Sequence, residues 1–148
     1  MTVAAGDMYL DSCIIVKLLT TEEDSAFFDQ HLTGKPLSTS ELALTEVWSA
    51  LLSKERNGRV THKESKAAWS QFQEWLRDED IVLRGLNSVV LHKANHQLES
   101  CHPGVPLRTL DAVHLASCDL AQDFPICSTD GRVRQAAAVL RIPVFPEL

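Results

Sequence analysis

Four acidic residues stand at points along the chain where one site could gather them: Asp11, Glu46, Asp111 and Asp130. Asp11 directly follows the apolar triplet Met8-Tyr9-Leu10, and Asp130 comes just after Ile126-Cys127-Ser128. Asp111 falls in the first turn of an amphipathic run from Thr109 to Gln122. Glu46 lies within another such run, off its Leu44-Val47-Trp48-Leu51 stripe, with Ala43 and Ala50 leaving room beside the carboxylate. Carboxylates about 5 Å apart repel by roughly 3 kcal/mol per pair at an effective dielectric of about 20. Protonation or a cation must relieve that repulsion. A hard divalent ion such as Mg²⁺, with Mn²⁺ as a substitute, takes oxygen ligands: one or two carboxylates, waters and a substrate phosphate. It makes hydroxide available near neutral pH and neutralises charge developing on the phosphate. The expected ligands are Asp11, Asp111 and Asp130. Glu46, projecting from mid-helix on a longer side chain, is expected to act as a general base on water.

Each acid taken alone has a plainer explanation. Asp11 and Asp111 suit helix N-termini, Asp130-Gly131 suits a turn, and Glu46 could be a solvated helix position. All four plain readings would have to hold independently at the places one site would need acids. Around them, Ser12 and Ser128 could hydrogen-bond waters or orient the carboxylates, although Ser12 fits a helix cap equally well. His114, three residues after Asp111, is expected to pack or support the site rather than act as the base. Arg132 and Arg134 follow Asp130 and are candidate phosphate contacts. Lys54, Arg56 and Arg59 could bind phosphates or solvate helix ends.

The elements that must position these groups follow from periodicity. Strands are expected at Met8-Leu10, Leu37-Ser38, Ile81-Leu83, Ile126-Cys127 and, at a sheet edge that tolerates Pro, Ile142-Phe145. Between them lie helices through Ile14-Leu19 and from Glu22 to Leu32, Ser40 to Asn57, Thr61 to Asp78, Ser88 to Ser100, Thr109 to Gln122 and Arg132 to Leu140. Thr61 and Glu64 form a capping-box pattern. Trp69, Phe72, Trp75 and Leu76 make a stripe read as core, with a partner groove as the alternative. Strands separated by helical crossovers imply a parallel sheet covered on both faces, a three-layer α/β/α domain. Ligands of such sheets bind beyond the carboxyl ends of the strands, where Asp11 and Asp130 fall.

The 148 residues suit one domain, 1–148, and the 45% hydrophobic content supplies a core. The net charge of −6 argues against a general basic surface for nucleic acid, but not against a site built of acids. No apolar run approaches the roughly 18 residues of a membrane span. Residues 1–9 lack the basic and apolar regions of a secretory leader, so a cytoplasmic protein is expected. Cys13, Cys101, Cys118 and Cys127 include no C-x-x-C pair and are expected to be free, mostly buried thiols.

Asp11-Ser12 after the first strand, Glu46 within Leu42-Ala43-Leu44-Thr45-Glu46-Val47, Leu107-Arg108-Thr109-Leu110-Asp111-Ala112-Val113-His114-Leu115-Ala116, and Ser128-Thr129-Asp130 together closely resemble the PIN-domain nucleases. The length and the 107–116 segment resemble, within them, the VapC-type toxins. The resemblance runs from about Met8 to Phe145. It implies a PIN-like α/β/α fold and a Mg²⁺- or Mn²⁺-dependent endoribonuclease acting on structured RNA, often tRNA or rRNA. It also implies a cognate antitoxin and a homodimer. Arg132 and Arg134 then become candidate RNA contacts. Two positions depart from the pattern: Arg141 where a Gly is common, and Ser128 where a Thr is common. An RNA-maturing PIN nuclease and an inactive RNA- or protein-binding scaffold are the alternatives. A phosphatase of the Asp-x-Asp type would need an acid where Cys13 stands, and a receiver domain would need a late-strand Lys.

Overall fold

The computed structural model describes residues 7–147. Five strands form one sheet: β1 (Met8–Leu10), β2 (Leu37–Ser40), β3 (Ile81–Arg84), β4 (Ile126–Cys127) and β5 (Val144–Phe145). Seven helices connect them: α1 (Ser12–Leu19), α2 (Ser25–Leu32), α3 (Ala43–Arg56), α4 (His62–Arg77), α5 (Ser88–Cys101), α6 (Thr109–Ala121) and α7 (Gly131–Leu140). The strand order is β3-β2-β1-β4-β5 and every pairing is parallel. The chain therefore builds outward from β1 to β3, then crosses back to lay β4 against the other side of β1. That reversal makes the β1/β4 boundary the point where a crevice opens beyond the strand ends.

Side chains alternate across the sheet, and the two faces bury different helices. Leu10 and Cys127 point into a core with Ile14, Phe28, Val47, Leu51 and Phe72 of α1 to α4. Their neighbours Tyr9 and Ile126 point into the opposite core with Leu115, Cys118, Val133 and Ala136 of α6 and α7. Val90 and Ala94 of α5 pack on Ala112, Val113 and Ala116 of α6. The expected three layers are present. Among the described residues no helix is long and apolar enough to cross a membrane. Residues 1–6, which carry most of the segment expected not to be a leader, lie outside the described residues.

Several boundaries differ from expectation for physical reasons. β2 runs two residues further than expected, because Ser38 and Thr39 satisfy their buried hydroxyls on Asp123 Oδ2 (2.8 Å) and the Leu10 carbonyl (2.8 Å). Ser40 closes the strand opposite Arg84 instead of opening a helix, and its Oγ accepts the Leu42 N–H. α3 therefore starts at Ala43 and buries Ala43, Val47 and Leu51, while Leu44 is exposed. This corrects both the expected stripe and the open space expected beside Ala43. Glu22 and Glu23 precede α2 rather than opening it, and the Glu22 N–H donates to Ser25 Oγ (2.8 Å). The Thr61/Glu64 capping box forms in both directions. Trp69 packs between Trp48 and Phe72, so the aromatic stripe of α4 is core on that side. All four cysteines are free, and three are buried.

Candidate active site

Asp11 occupies the N-cap position of α1 but caps nothing with its side chain. Its Oδ2 instead accepts from Ser128 Oγ at 2.7 Å, across the β1/β4 boundary. Ser128 Oγ in turn accepts the Asp130 N–H at 3.0 Å, so one buried hydroxyl ties Asp11 to Asp130. Asp130 is the N-cap of α7, its Oδ1 accepting from the N–H groups of Arg132 (2.9 Å) and Val133 (3.1 Å). Asp11 thus lies at a helix N-terminus without capping it, and one oxygen of Asp130 caps α7 where a turn was the plainer expectation.

Asp111 sits in the first turn of α6, and its Oδ2 accepts from both the backbone and the Nε of Arg108, each at 3.3 Å. The same guanidinium reaches toward Asp130 Oδ2 at 3.8 Å. Arg108 thereby places a positive charge between two of the acids. It was legible only as the basic residue three before Asp111, and sequence gave it no role of its own.

Glu46 lies in the first turn of α3, not mid-helix, because the helix starts at Ala43. Its Oε1 accepts from Ser12 Oγ at 2.8 Å and from His114 Nε2 at 2.5 Å. His114 is 2% exposed, its Nδ1 lies 2.7 Å from the Tyr9 hydroxyl, and its Nε2 is also 3.8 Å from Asp11 Oδ1. Burial works to lower the His114 pKa. The bond to Glu46 and the charges of Asp11, Glu46 and Asp111 outweigh it and raise the imidazole above its ordinary value. Burial likewise works to raise Glu46, but His114, Ser12 and Arg108 hold its carboxyl below the usual range. Ser12 is therefore a buried donor to Glu46 rather than a plain cap.

The structure brings Asp11, Ser12, Glu46, Asp111, Ser128 and Asp130 to one end of the sheet. It does not bring Arg134 there as a free cation. Its guanidinium donates to the carbonyls of Ser128 (2.9 Å) and Pro146 (2.6 Å), bracing the end of β4 against the segment after β5. Arg132 is exposed next to Asp130. Lys54, eight residues beyond Glu46 and so about 12 Å along α3, pairs with Glu22 at 3.3 Å. A groove of about 1400 Å³ lies at that far end between Lys17, Glu22, Asp24, Lys54 and Arg59, and none of the four acids lines it.

Among the described residues no group of three or more His, Cys, Asp or Glu side chains stands close enough together, as they lie, to hold a metal ion. Mg²⁺ is usually held by only one or two carboxylates and keeps several waters. The donors are hard oxygens, and the site already draws the Arg108 guanidinium between Asp111 and Asp130. The residues present fit a hard divalent cation.

The family model described as PIN domain matches residues 8–139. The chain belongs to the PIN-domain family. Within that family it is 34% identical over 141 residues to Ribonuclease VapC46 of Mycobacterium tuberculosis, covering 93% of this chain and 95% of that relative. It is 36% identical over 114 residues to Ribonuclease VapC49 of the same organism, covering 74% and 73%. These likenesses set this PIN domain beside the VapC ribonucleases. The crystal structure of M. tuberculosis VapC20, titled a Sarcin-Ricin loop cleaving toxin, superposes with a TM-score of 0.68 over 87% of this chain and 94% of that one. At 18% identity that likeness speaks for the PIN fold alone.

Proposed function

We propose that this PIN domain is a Mg²⁺- or Mn²⁺-dependent endoribonuclease that cuts structured RNA, tRNA or rRNA, in the cytoplasm, and is the toxin of a toxin–antitoxin pair. The observation that carries this reading is the set of acids converging from β1, α3, α6 and β4 at the strand reversal, with the Ser128 hydroxyl joining Asp11 to Asp130. The ribonuclease names of relatives that align over most of the chain support the substrate class. The family resemblance supports a protein antitoxin and a homodimer.

Asp11, Asp111 and Asp130 would hold the cation, whose chemistry is to neutralise charge on the scissile phosphate and make water nucleophilic near neutral pH. Ser128 fixes Asp11 in one orientation, and the α7 N-terminus fixes Asp130. Arg108 holds Asp111 and Asp130 in the free protein and is placed to turn its guanidinium onto a phosphate oxygen when RNA arrives. Glu46 takes the proton of the attacking water as the new P–O bond forms and the bond to the leaving ribose oxygen breaks. The proton returns to that oxygen through solvent. A net charge of −6 offers little general attraction for phosphates. Specificity then falls to RNA shape and a few cations such as Arg132 and Arg108.

Sequencing the RNA ends that accumulate on induction, beside purified protein with Mn²⁺ or a chelator, tests the reading. One or a few discrete cuts that vanish with chelator and with Asp11→Asn are expected, and growth arrest should be relieved by the gene next to this one. Unselective degradation, or cleavage that persists in chelator, overturns it.

A further inference from the structure

Tyr9 and His114 are the largest buried polar groups that neither a cation nor a substrate would touch directly, yet they lie one hydrogen bond behind Glu46. An ionised carboxylate only accepts. Facing Glu46 Oε1 at 2.5 Å, the Nε2 of His114 must therefore carry a hydrogen whatever the net charge of the ring. When the ring is neutral its Nδ1 is then a bare acceptor, and the Tyr9 hydroxyl at 2.7 Å is its donor. When the ring is charged, Nδ1–H donates to Tyr9. The Tyr9 hydrogen then turns away from the ring. Either way Nε2–H keeps pointing at Glu46. The Ser12 hydroxyl converges on the same oxygen at 2.8 Å, whereas among the described residues Oε2 has no hydrogen-bond partner.

We propose that Tyr9 and His114 form a buried bracket that, with Ser12, saturates Glu46 Oε1 and aims its free Oε2 at the reacting water. This rests on the reading of Glu46 as the proton acceptor and adds two positioning residues to it. A carboxylate free to rotate would present either oxygen, and a misdirected base loses much of the 10²- to 10⁴-fold that general-base catalysis provides. The bracket also joins both halves of the site. Tyr9 stands two residues before Asp11 on β1, and His114 stands three after Asp111 on α6. Movement of α6 against the sheet would turn Glu46 and displace Asp111 together.

The test uses the full chain with Mn²⁺ and its RNA, alongside nitrogen-15 spectra of the imidazole ring in the RNA-free protein. Tyr9→Phe removes one oxygen and keeps the ring in its core, so the fold should persist. Its Nδ1 resonance should shift, and kcat should fall about 3- to 10-fold with KM within about twofold. His114→Asn, which loses the donor at Glu46, should lower kcat about 10- to 100-fold, and His114→Gln, whose amide reaches the Nε2 position, should recover most of that loss. In a Glu46→Gln background His114→Asn should cost less than about twofold, because its effect passes through Glu46. An unshifted Nδ1 resonance in Tyr9→Phe overturns the bracket. So does an equal loss from His114→Asn with and without Glu46. If the wild-type protein leaves RNA intact, the nuclease reading fails, and the ring spectra still decide whether the bracket exists.

Discussion

Asp130 serves a helix with one oxygen and the site with the other, and substitution separates the two duties. Asn is as good an N-cap as Asp, whereas Ala is not. Asp130→Asn and Asp130→Ala should both abolish cleavage, but only Asp130→Ala should also lose about 1 kcal/mol in denaturant melts. Asp11 has no capping duty, so Asp11→Asn should fold normally and fail at the cation. Wild type at a hundredfold excess of Mn²⁺ over Kd should gain about 2.7 kcal/mol, and Asp11→Asn should lose most of that gain. Equal Mn²⁺ stabilisation of the two proteins in thermal melts would remove Asp11 from the ligand set.

Among the elements, the α3–α4 hairpin carries a pH signature of its own. Glu55 accepts from Ser65 and His62, and Glu64 accepts from the Thr61 backbone, so both carboxyls sit below their ordinary value of 4.5. A lowered folded pKa gives stability that is complete above the unfolded value and is lost as pH falls through the folded one. Melts from pH 6 to 3 should therefore show wild type losing more stability below about pH 4.5 than a Ser65→Ala/Glu64→Gln variant loses. The end of α7 makes a second case. Arg141 adopts φ +60°, the left-handed conformation that favours glycine after a helix. Arg141→Gly should raise stability by about 1 kcal/mol, read from the shift in urea midpoint.

Much of this architecture was legible in the chain. The triplet Met8-Tyr9-Leu10 and the pair Ile126-Cys127 stood out as short apolar runs bounded by polar residues, and Asp11 and Asp130 followed them directly. The start of α3 was not legible, because Ser40 has the chemistry of a helix cap and spends it closing a strand. That one shift moved Glu46 into the first turn and Leu44 to the surface. His114 is legible as a packed or supporting residue, and it is buried, but its partners depend on how α6 lies over β1, a register that local periodicity does not encode. The carbonyls that hold Arg134, of Ser128 and Pro146, likewise depend on how α7 lies beside the strand ends.

At the scale of the whole molecule, Asp123 is a buried acid far from the chemistry that fastens the sheet together. It accepts from Arg84 at 2.7 and 3.0 Å and from Ser38 at 2.8 Å, linking β2, β3 and the segment before β4. Arg84→Met would strand the 1%-exposed Asp123 charge, and should cost about 3–5 kcal/mol in chemical denaturation while leaving the acidic site chemically intact. The Ser128–Asp11 bond has a different consequence, set by when each partner is made. The two residues lie 117 apart in the chain. At translation speeds of roughly 5–20 residues per second, Asp11 is synthesised about 6–23 s before its partner. Through that interval β1 has no β4 beside it, and the acids of the amino-terminal half have no partners from the other. A growing chain therefore cannot assemble the acidic site until β4 and the segment that follows it have been made.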